Sequence, residues 1–94
     1  MDLQSHERRE VIYSGHVQGV GFRWTVRQIV QGHAVTGFVR NLDDGRVQLV
    51  VEGQAAEIDC FLASIRERMA DYIAQAQEAK SPATGQFAGF EIVH

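Results

Sequence analysis

The chain has 94 residues, 45% hydrophobic and 22% charged, a composition typical of one small globular domain. Its net charge of -3 argues against electrostatic binding of nucleic acid, and no apolar run is long enough to cross a membrane. A single cysteine, Cys60, excludes an internal disulfide and a cysteine-based zinc site. The first residues (MDLQSHERRE) lack the apolar segment of a signal peptide, so we expect a cytoplasmic protein.

The first third of the chain predicts a tail, a strand, a glycine-spaced loop and a helix. Residues 1–8 are polar and unpatterned, so we expect a flexible tail followed by one domain over residues 9–94. The β-prone run Val11 to Tyr13 predicts the first strand. Apolar residues at helical spacing from Phe22 to Val30 then predict the first helix, and the glycine that follows predicts its end.

The middle of the chain predicts a β-hairpin and a second helix. Alternating apolar residues mark strands over Val35–Asn41 and Arg46–Glu52. The turn between them, Leu42–Gly45, contains an Asp-Gly pair, which favours a type I′ turn. An apolar stripe at helical spacing predicts the second helix from about Ala55 to Met69.

The last third is less clear, because residues 72–79 favour a helix by propensity but also alternate as a strand does. We predict a strand there, since it completes a β-α-β-β-α-β pattern. A loop is predicted at Ser81–Gly85 and a final strand at Phe87–Val93. The fold class is therefore α+β: a ferredoxin-like βαββαβ sandwich with an additional C-terminal strand, and two helices on one face of a mixed, mostly antiparallel sheet.

The glycine-spaced loop before the first helix is a candidate anion site. Glycines at positions 15, 19 and 21 allow successive backbone N–H groups to turn inward, and the helix start adds unpaired N–H groups and a positive dipole end. The spacing fits neither a nucleotide P-loop nor a dinucleotide-binding fingerprint. The alternative interpretation is a tight turn that needs flexible residues and binds nothing.

Three polar side chains near this loop are candidates for chemistry. Arg23 falls in the first helical turn, where a cation opposes the helix dipole, and its planar guanidinium matches a phosphate or carboxylate. Asn41 ends the second strand, and its amide could hold a water, although it could equally start the turn. His16 is interpreted as a surface residue rather than a general base.

Two segments together identify a resemblance to a known family. The stretch GHVQGVGFR (Gly15–Arg23) and the stretch GFVRNLDDGRV (Gly37–Val47) closely resemble the acylphosphatases, and TGQFAGFEI (Thr84–Ile92) is similar to their usual ending. The similarity spans about residues 10–94. It implies the same ferredoxin-like fold and an enzyme that hydrolyses acyl phosphates to a carboxylate and inorganic phosphate.

The resemblance also implies roles for individual residues. Arg23 would bind the phosphoryl group, and Asn41 would position the attacking water. The backbone cradle for the phosphate would comprise Gly15, His16, Val17, Gln18, Gly19 and Val20. We expect no metal and no cofactor, a small acyl phosphate as substrate, inorganic phosphate as product or inhibitor, no nucleic-acid or membrane partner, and a monomer.

Two other functions remain open at this stage. One is a phosphometabolite-sensing or regulatory module that uses the same loop without catalysis. The other is an RNA-binding module of βαββαβ fold, which the negative charge and the absence of aromatic residues from Arg46–Glu52 disfavour.

Overall fold

One five-stranded sheet carries both helices. The computed structural model describes residues 6–94, with the element order β1 (His6–Gly15), α1 (Phe22–Val30), β2 (Val35–Asn41), β3 (Val47–Gln54), α2 (Ala55–Arg68), β4 (Ile73–Pro82) and β5 (Phe90–Val93). The strand order is β4-β1-β3-β2-β5. Only β2 and β5 pair in parallel, and the other neighbours are antiparallel. The predicted fold class is confirmed.

The hydrophobic core lies between the sheet and the two helices. On β3, Val47, Leu49 and Val51 are 0% exposed, because alternate side chains of a strand share a face and this face is covered by helices. The helical stripe on α2 is buried against them, as the spacing predicts. Within residues 6–94, neither helix is long and apolar enough to span a membrane.

The segment whose helical propensity and alternating pattern disagree is a strand, as predicted. Residues 72–79 contribute most of β4, which pairs with β1 along its length at the edge of the sheet. Nearly every β4 side chain is exposed. Its helical propensity is therefore overridden by the backbone hydrogen bonds to β1 rather than by burial of apolar side chains.

Three predicted boundaries need correction. Residues 6–8 belong to β1, where His6 pairs with Gln54, so the predicted tail is wrong for these residues, and the rest of it lies outside the described residues. β4 continues to Pro82, into the predicted loop, because Ser81 and Pro82 pair with β1. β5 begins at Phe90 instead of Phe87.

The β2–β3 turn is also not the predicted type I′ turn. A type I′ turn needs a positive φ at both central residues, but in this turn only Gly45 has one, at 95°. The Gly45 N–H donates to Leu42 O at 3.2 Å, and the Leu42 N–H donates to Arg46 O at 2.8 Å. These bonds describe a type I turn followed by a left-handed glycine, the common three-residue hairpin loop.

The connection between β4 and β5 crosses the sheet face that the helices leave uncovered. Glu52, only 4% exposed, anchors it by accepting hydrogen bonds from the Thr84 N–H, the Thr84 hydroxyl (2.7 Å) and the Gly85 N–H (2.9 Å). Further along, the Phe87 ring contacts Phe38 of β2 edge to face. This crossing brings β5 to the far edge of the sheet, beside β2 and α1.

Candidate functional site

The loop between β1 and α1 is shaped by three glycines with positive φ. Gly15 has φ 121°, Gly19 has 79° and Gly21 has 76°. At Gly15 there is also no room for a side chain, since a Cβ would lie 2.5 Å from Ala74 N and 2.6 Å from Tyr72 O. The loop can therefore leave β1 at this point only because residue 15 is a glycine.

The loop presents a run of backbone N–H groups without partners. In the described part of the chain, nothing accepts a hydrogen bond from the N–H groups of residues 17–24. The His16 N–H, in contrast, donates to Tyr72 O at 2.9 Å, and Gly15 pairs with Ile73 in the sheet. The free amides thus begin at Val17, two residues later than the predicted cradle.

The start of α1 adds to the attraction for an anion. Its N-cap is Gly21, which makes no side-chain capping bond, and its first turn contains no acidic residue. Exposed helix N-terminal amides and the positive end of the helix dipole favour negative charge. No side chain of the helix itself supplies that charge.

Arg23 is held beside this loop by the end of β5. Its side chain is half-buried, and its Nη1 lies 3.5 Å from Val93 O. The same nitrogen donates to His94 Nδ1 at 3.3 Å, which requires that this ring nitrogen be unprotonated. The remaining guanidinium donors have no partner among the described residues, so they are available to an anion.

Asn41 reaches the same end of the sheet through the pairing of β2 with β3. β1 and β2 are not neighbours, because β3 lies between them. Asn41 pairs with Val47, and Val47 pairs with Tyr13, two residues before the end of β1. The register therefore brings the half-buried Asn41 to the sheet end from which the loop departs.

Gln18 joins the loop to the β2–β3 turn. Its Nε2 donates to Leu42 O at 2.8 Å and to Arg46 O at 2.9 Å, so a single side-chain amide contacts both sides of the turn. The sequence places Gln18 in the cradle only through its backbone. This bracing role was missed, and no local pattern reveals it, since the two segments lie 24 to 28 residues apart.

These elements surround one cavity of about 290 Å³. The residues that line it are Val17, Gly19, Gly21, Phe22, Arg23, Trp24, Asn41, Ile92 and His94. Of the residues that the sequence places in the site, Arg23, Asn41, Val17 and Gly19 line this cavity. Gly15, His16, Gln18 and Val20 do not line it.

Comparison of the sequence with models of protein families identifies its family. A family model described as Acylphosphatase matches residues 9–92. The chain belongs to the acylphosphatase family. The resemblance recognised in the sequence, and with it the expected class of enzyme, is confirmed at the level of the family.

Acylphosphatases from several organisms resemble this chain over most of its length. One from Haloarcula marismortui is 46% identical over 63 residues, which cover 67% of this chain and 69% of that protein. One from Archaeoglobus fulgidus is 32% identical over 85 residues, covering 90% and 96%. The crystal structure of acylphosphatase from Bacillus subtilis superposes with a TM-score of 0.84 at 27% identity, covering 94% of this chain and 99% of that one.

Four residues that line the cavity were not predicted from the sequence as part of the site: Phe22, Trp24, Ile92 and His94. Trp24 is 63% exposed and lines the cavity. Ile92 and His94 reach the cavity because β5 runs parallel to β2, next to α1. A single sequence gives little signal for this, since about 70 residues separate them from Arg23.

Proposed function

We propose that this protein hydrolyses the carboxyl-phosphate bond of small acyl phosphates, releasing a carboxylate and inorganic phosphate. The observation that carries the proposal is the shared cavity, in which a guanidinium, free backbone amides and an asparagine face one space in a chain of the acylphosphatase family. The cavity is small and open at the surface, which suits a small substrate.

The phosphoryl group is bound by Arg23 and the loop amides. Charge-assisted bonds from a guanidinium to phosphate oxygens are stronger than neutral hydrogen bonds, and they orient the group through paired donors. The N–H groups from Val17 onward and the α1 terminus supply further donors without any movement of side chains. Val17 is 1% exposed, so its side chain anchors the loop in the core while its backbone faces the ligand.

The attacking water is positioned by Asn41. Its side-chain amide both accepts and donates, so it can fix a water relative to the phosphorus atom. The water oxygen forms the new P–O bond, and the bond from phosphorus to the acyl oxygen breaks with its electron pair on the carboxylate. One water proton passes to a phosphate oxygen, and the other stays on the new P–OH group.

This reaction needs no strong general acid. The conjugate acid of the leaving carboxylate has a pKa of about 4, so the carboxylate departs without being protonated. Phosphoryl transfer through a loose transition state depends chiefly on positioning and charge stabilisation, which these residues provide.

Benzoyl phosphate hydrolysis, measured with a chelator present, tests the proposal. Arg23→Ala should lower kcat/KM by at least about 100-fold and abolish competitive inhibition by phosphate, since it removes the charge at the transferred group. Arg27→Ala is the matched control: another arginine of α1, exposed and outside the cavity, whose loss should leave the activity unchanged.

Asn41→Ala separates positioning of water from binding of phosphate. It should lower kcat by roughly 10- to 100-fold while the inhibition constant of phosphate stays within about threefold. Binding of the substrate without turnover in the unaltered protein would instead support a sensing module. Phosphate inhibition that survives Arg23→Ala would contradict the role of Arg23.

The proposal extends to a cytoplasmic monomer. Residues of one copy of the chain line the cavity, so the proposed site requires no residue from a second copy. The one cysteine, Cys60, is an exposed thiol, which suits a reducing setting. Sedimentation at several protein concentrations tests the monomer, and a dimer at micromolar concentration would contradict it.

A further inference from the structure

Trp24 is a large apolar side chain placed at the mouth of the cavity. It is 63% exposed, more than any other large hydrophobic residue in the described part of the chain, and it is the only tryptophan. It follows Arg23 directly in the first turn of α1. The indole contributes little to the core, so its position calls for an explanation other than packing.

The cavity has two chemically different sides. Arg23, Asn41 and the glycine amides form the polar side, whereas an apolar wall, defined here as the side chains of Trp24 and Ile92, forms the other. No acidic residue lines the cavity among the described residues. Once the phosphoryl group occupies the polar side, the part of the substrate beyond the carboxyl carbon is left facing the apolar wall.

We propose that the site selects acyl phosphates with an aromatic or bulky apolar acyl group, and that Trp24 is the residue that sets this preference. This inference rests on the proposed hydrolysis of acyl phosphates and names the substrate class of that same site. The indole contacts the acyl group, while Arg23 holds the phosphate.

The helix geometry allows both contacts at once. Consecutive residues of an α-helix are rotated by about 100° and rise by about 1.5 Å, so neighbouring side chains diverge around the same terminus. Arg23 turns toward β5, where Val93 and His94 hold it, which leaves the other flank of the helix start to Trp24. A substrate lying across the helix start then contacts both residues.

Paired kinetics with benzoyl phosphate and acetyl phosphate test the preference. Trp24→Ala should lower the ratio of kcat/KM for benzoyl phosphate to kcat/KM for acetyl phosphate by about 3- to 10-fold. This is the range expected for loss of one aromatic contact. The different intrinsic reactivities of the two substrates cancel when this ratio is compared between variants. Trp24→Phe should retain most of the preference, because a benzyl ring keeps an aromatic face.

Gln28→Ala is the matched control. Gln28 is an exposed residue of the same helix and does not line the cavity, so its loss should leave both kcat/KM values unchanged. A ratio that is the same in Trp24→Ala as in the unaltered protein would overturn the inference while leaving the proposed hydrolysis intact. Failure to hydrolyse either substrate would contradict the proposed function instead.

A binding experiment gives a second readout that does not depend on turnover. Because Trp24 is the only tryptophan, fluorescence excited at a wavelength that tyrosine does not absorb reports this side chain alone. Benzoylmethylphosphonate, in which a methylene replaces the bridging oxygen, should change the emission and bind more tightly than acetonylphosphonate. Equal affinity for the two phosphonates, with an emission no different from that in inorganic phosphate, would overturn the role of Trp24.

Discussion

The side-chain amide of Gln18 ties the loop before α1 to Leu42, the residue that follows Asn41. Gln18 Nε2 lies 2.8 Å from Leu42 O and 2.9 Å from Arg46 O. One side chain thus fixes the distance between the amides that are proposed to bind phosphate and the asparagine that is proposed to position water.

Gln18→Ala should therefore impair turnover more than it impairs folding. It removes two neutral hydrogen bonds, partly exposed, so the free energy of unfolding should fall by about 1–2 kcal/mol. The loosened loop should lower kcat by about 10-fold, since misplacement of reacting groups by a fraction of an ångström is costly in rate. Urea unfolding and benzoyl phosphate kinetics measure the two effects.

A charged replacement sharpens this test. Gln18→Glu places a carboxylate against the same two carbonyl oxygens, where it can donate nothing and is repelled, so it should be worse than Gln18→Ala in both assays. An alanine variant with unchanged kcat would show that the loop is held by its backbone alone.

Gly15 should be the glycine of this loop whose replacement costs the most stability. At Gly15→Ala the new Cβ meets backbone atoms of Ala74 and Tyr72 at 2.5 and 2.6 Å, and the φ of 121° is itself unfavourable for alanine. We expect a loss of about 2–4 kcal/mol, seen as a drop in Tm of roughly 10 °C or more.

Gly45→Ala provides the matched comparison. Gly45 also has a positive φ, at 95°, but nothing lies within 4 Å of an added Cβ, so only backbone strain of about 1–2 kcal/mol applies. Equal losses for the two variants would mean that β4 moves away freely and that the close approach at Gly15 is unimportant.

The fold could be predicted from the sequence because its elements are locally patterned. The helical stripes of α1 and α2 and the alternation in β2 and β3 each report burial on one face. β4 is the exception: its side chains are exposed, so the strand was assigned from the order of the other elements and not from its own pattern.

The site could be predicted only where its residues are close in sequence. Arg23 and the glycines form one continuous segment. Asn41 was a candidate from its place at the end of the second strand, and the resemblance implied its role. Ile92 and His94 reach Arg23 only because residues 83–89, called here the crossing segment, carry the chain across the sheet and because β5 pairs in parallel with β2. Both features depend on the whole sheet. The resemblance assigned His16 to the cradle, but the His16 N–H donates to Tyr72 O.

Arg9 should be important for stability, because it joins β1 to α2 and β4. Its side chain is 6% exposed and donates to Asp59 at 2.6 Å and to Glu78 at 3.0 Å, and its Nε contacts Glu7. Burial would lower the pKa of the guanidinium, but the bonds to Asp59 and Glu7 hold it above its usual value. The arginine is therefore charged at any pH at which the protein folds.

Arg9→Met should lower the free energy of unfolding by about 2–3 kcal/mol, less than for a fully buried ion pair because Asp59 and Glu78 are partly exposed. It leaves three carboxylates close together, so added salt should restore part of the loss by screening their repulsion. Urea unfolding at low and high salt measures this. A loss that salt does not change would assign the role of Arg9 to the packing of its aliphatic chain.

Glu52 should make stability depend on acid pH. Its burial would raise the pKa of the carboxyl group, but the hydrogen bonds from Thr84 and Gly85, with Arg8 nearby, hold that pKa below its usual value. The ionised form is thus favoured in the folded state, and its stabilisation is present above the unfolded pKa of roughly 4.3 and is lost as pH falls through the lower folded pKa.

Glu52→Gln should therefore cost about 2 kcal/mol at neutral pH, the scale of a charge-assisted hydrogen bond, and the difference from the unaltered protein should shrink as pH falls below about 4. Because the crossing segment leads to β5, which holds Arg23, the variant should also raise the KM for benzoyl phosphate. Thr84→Val removes the hydroxyl donor but keeps the ionised carboxylate, so it should weaken the anchor and leave most of the pH dependence in place. A difference between Glu52→Gln and the unaltered protein that stays constant from neutral to acid pH would show that the charge of Glu52 does not stabilise the fold.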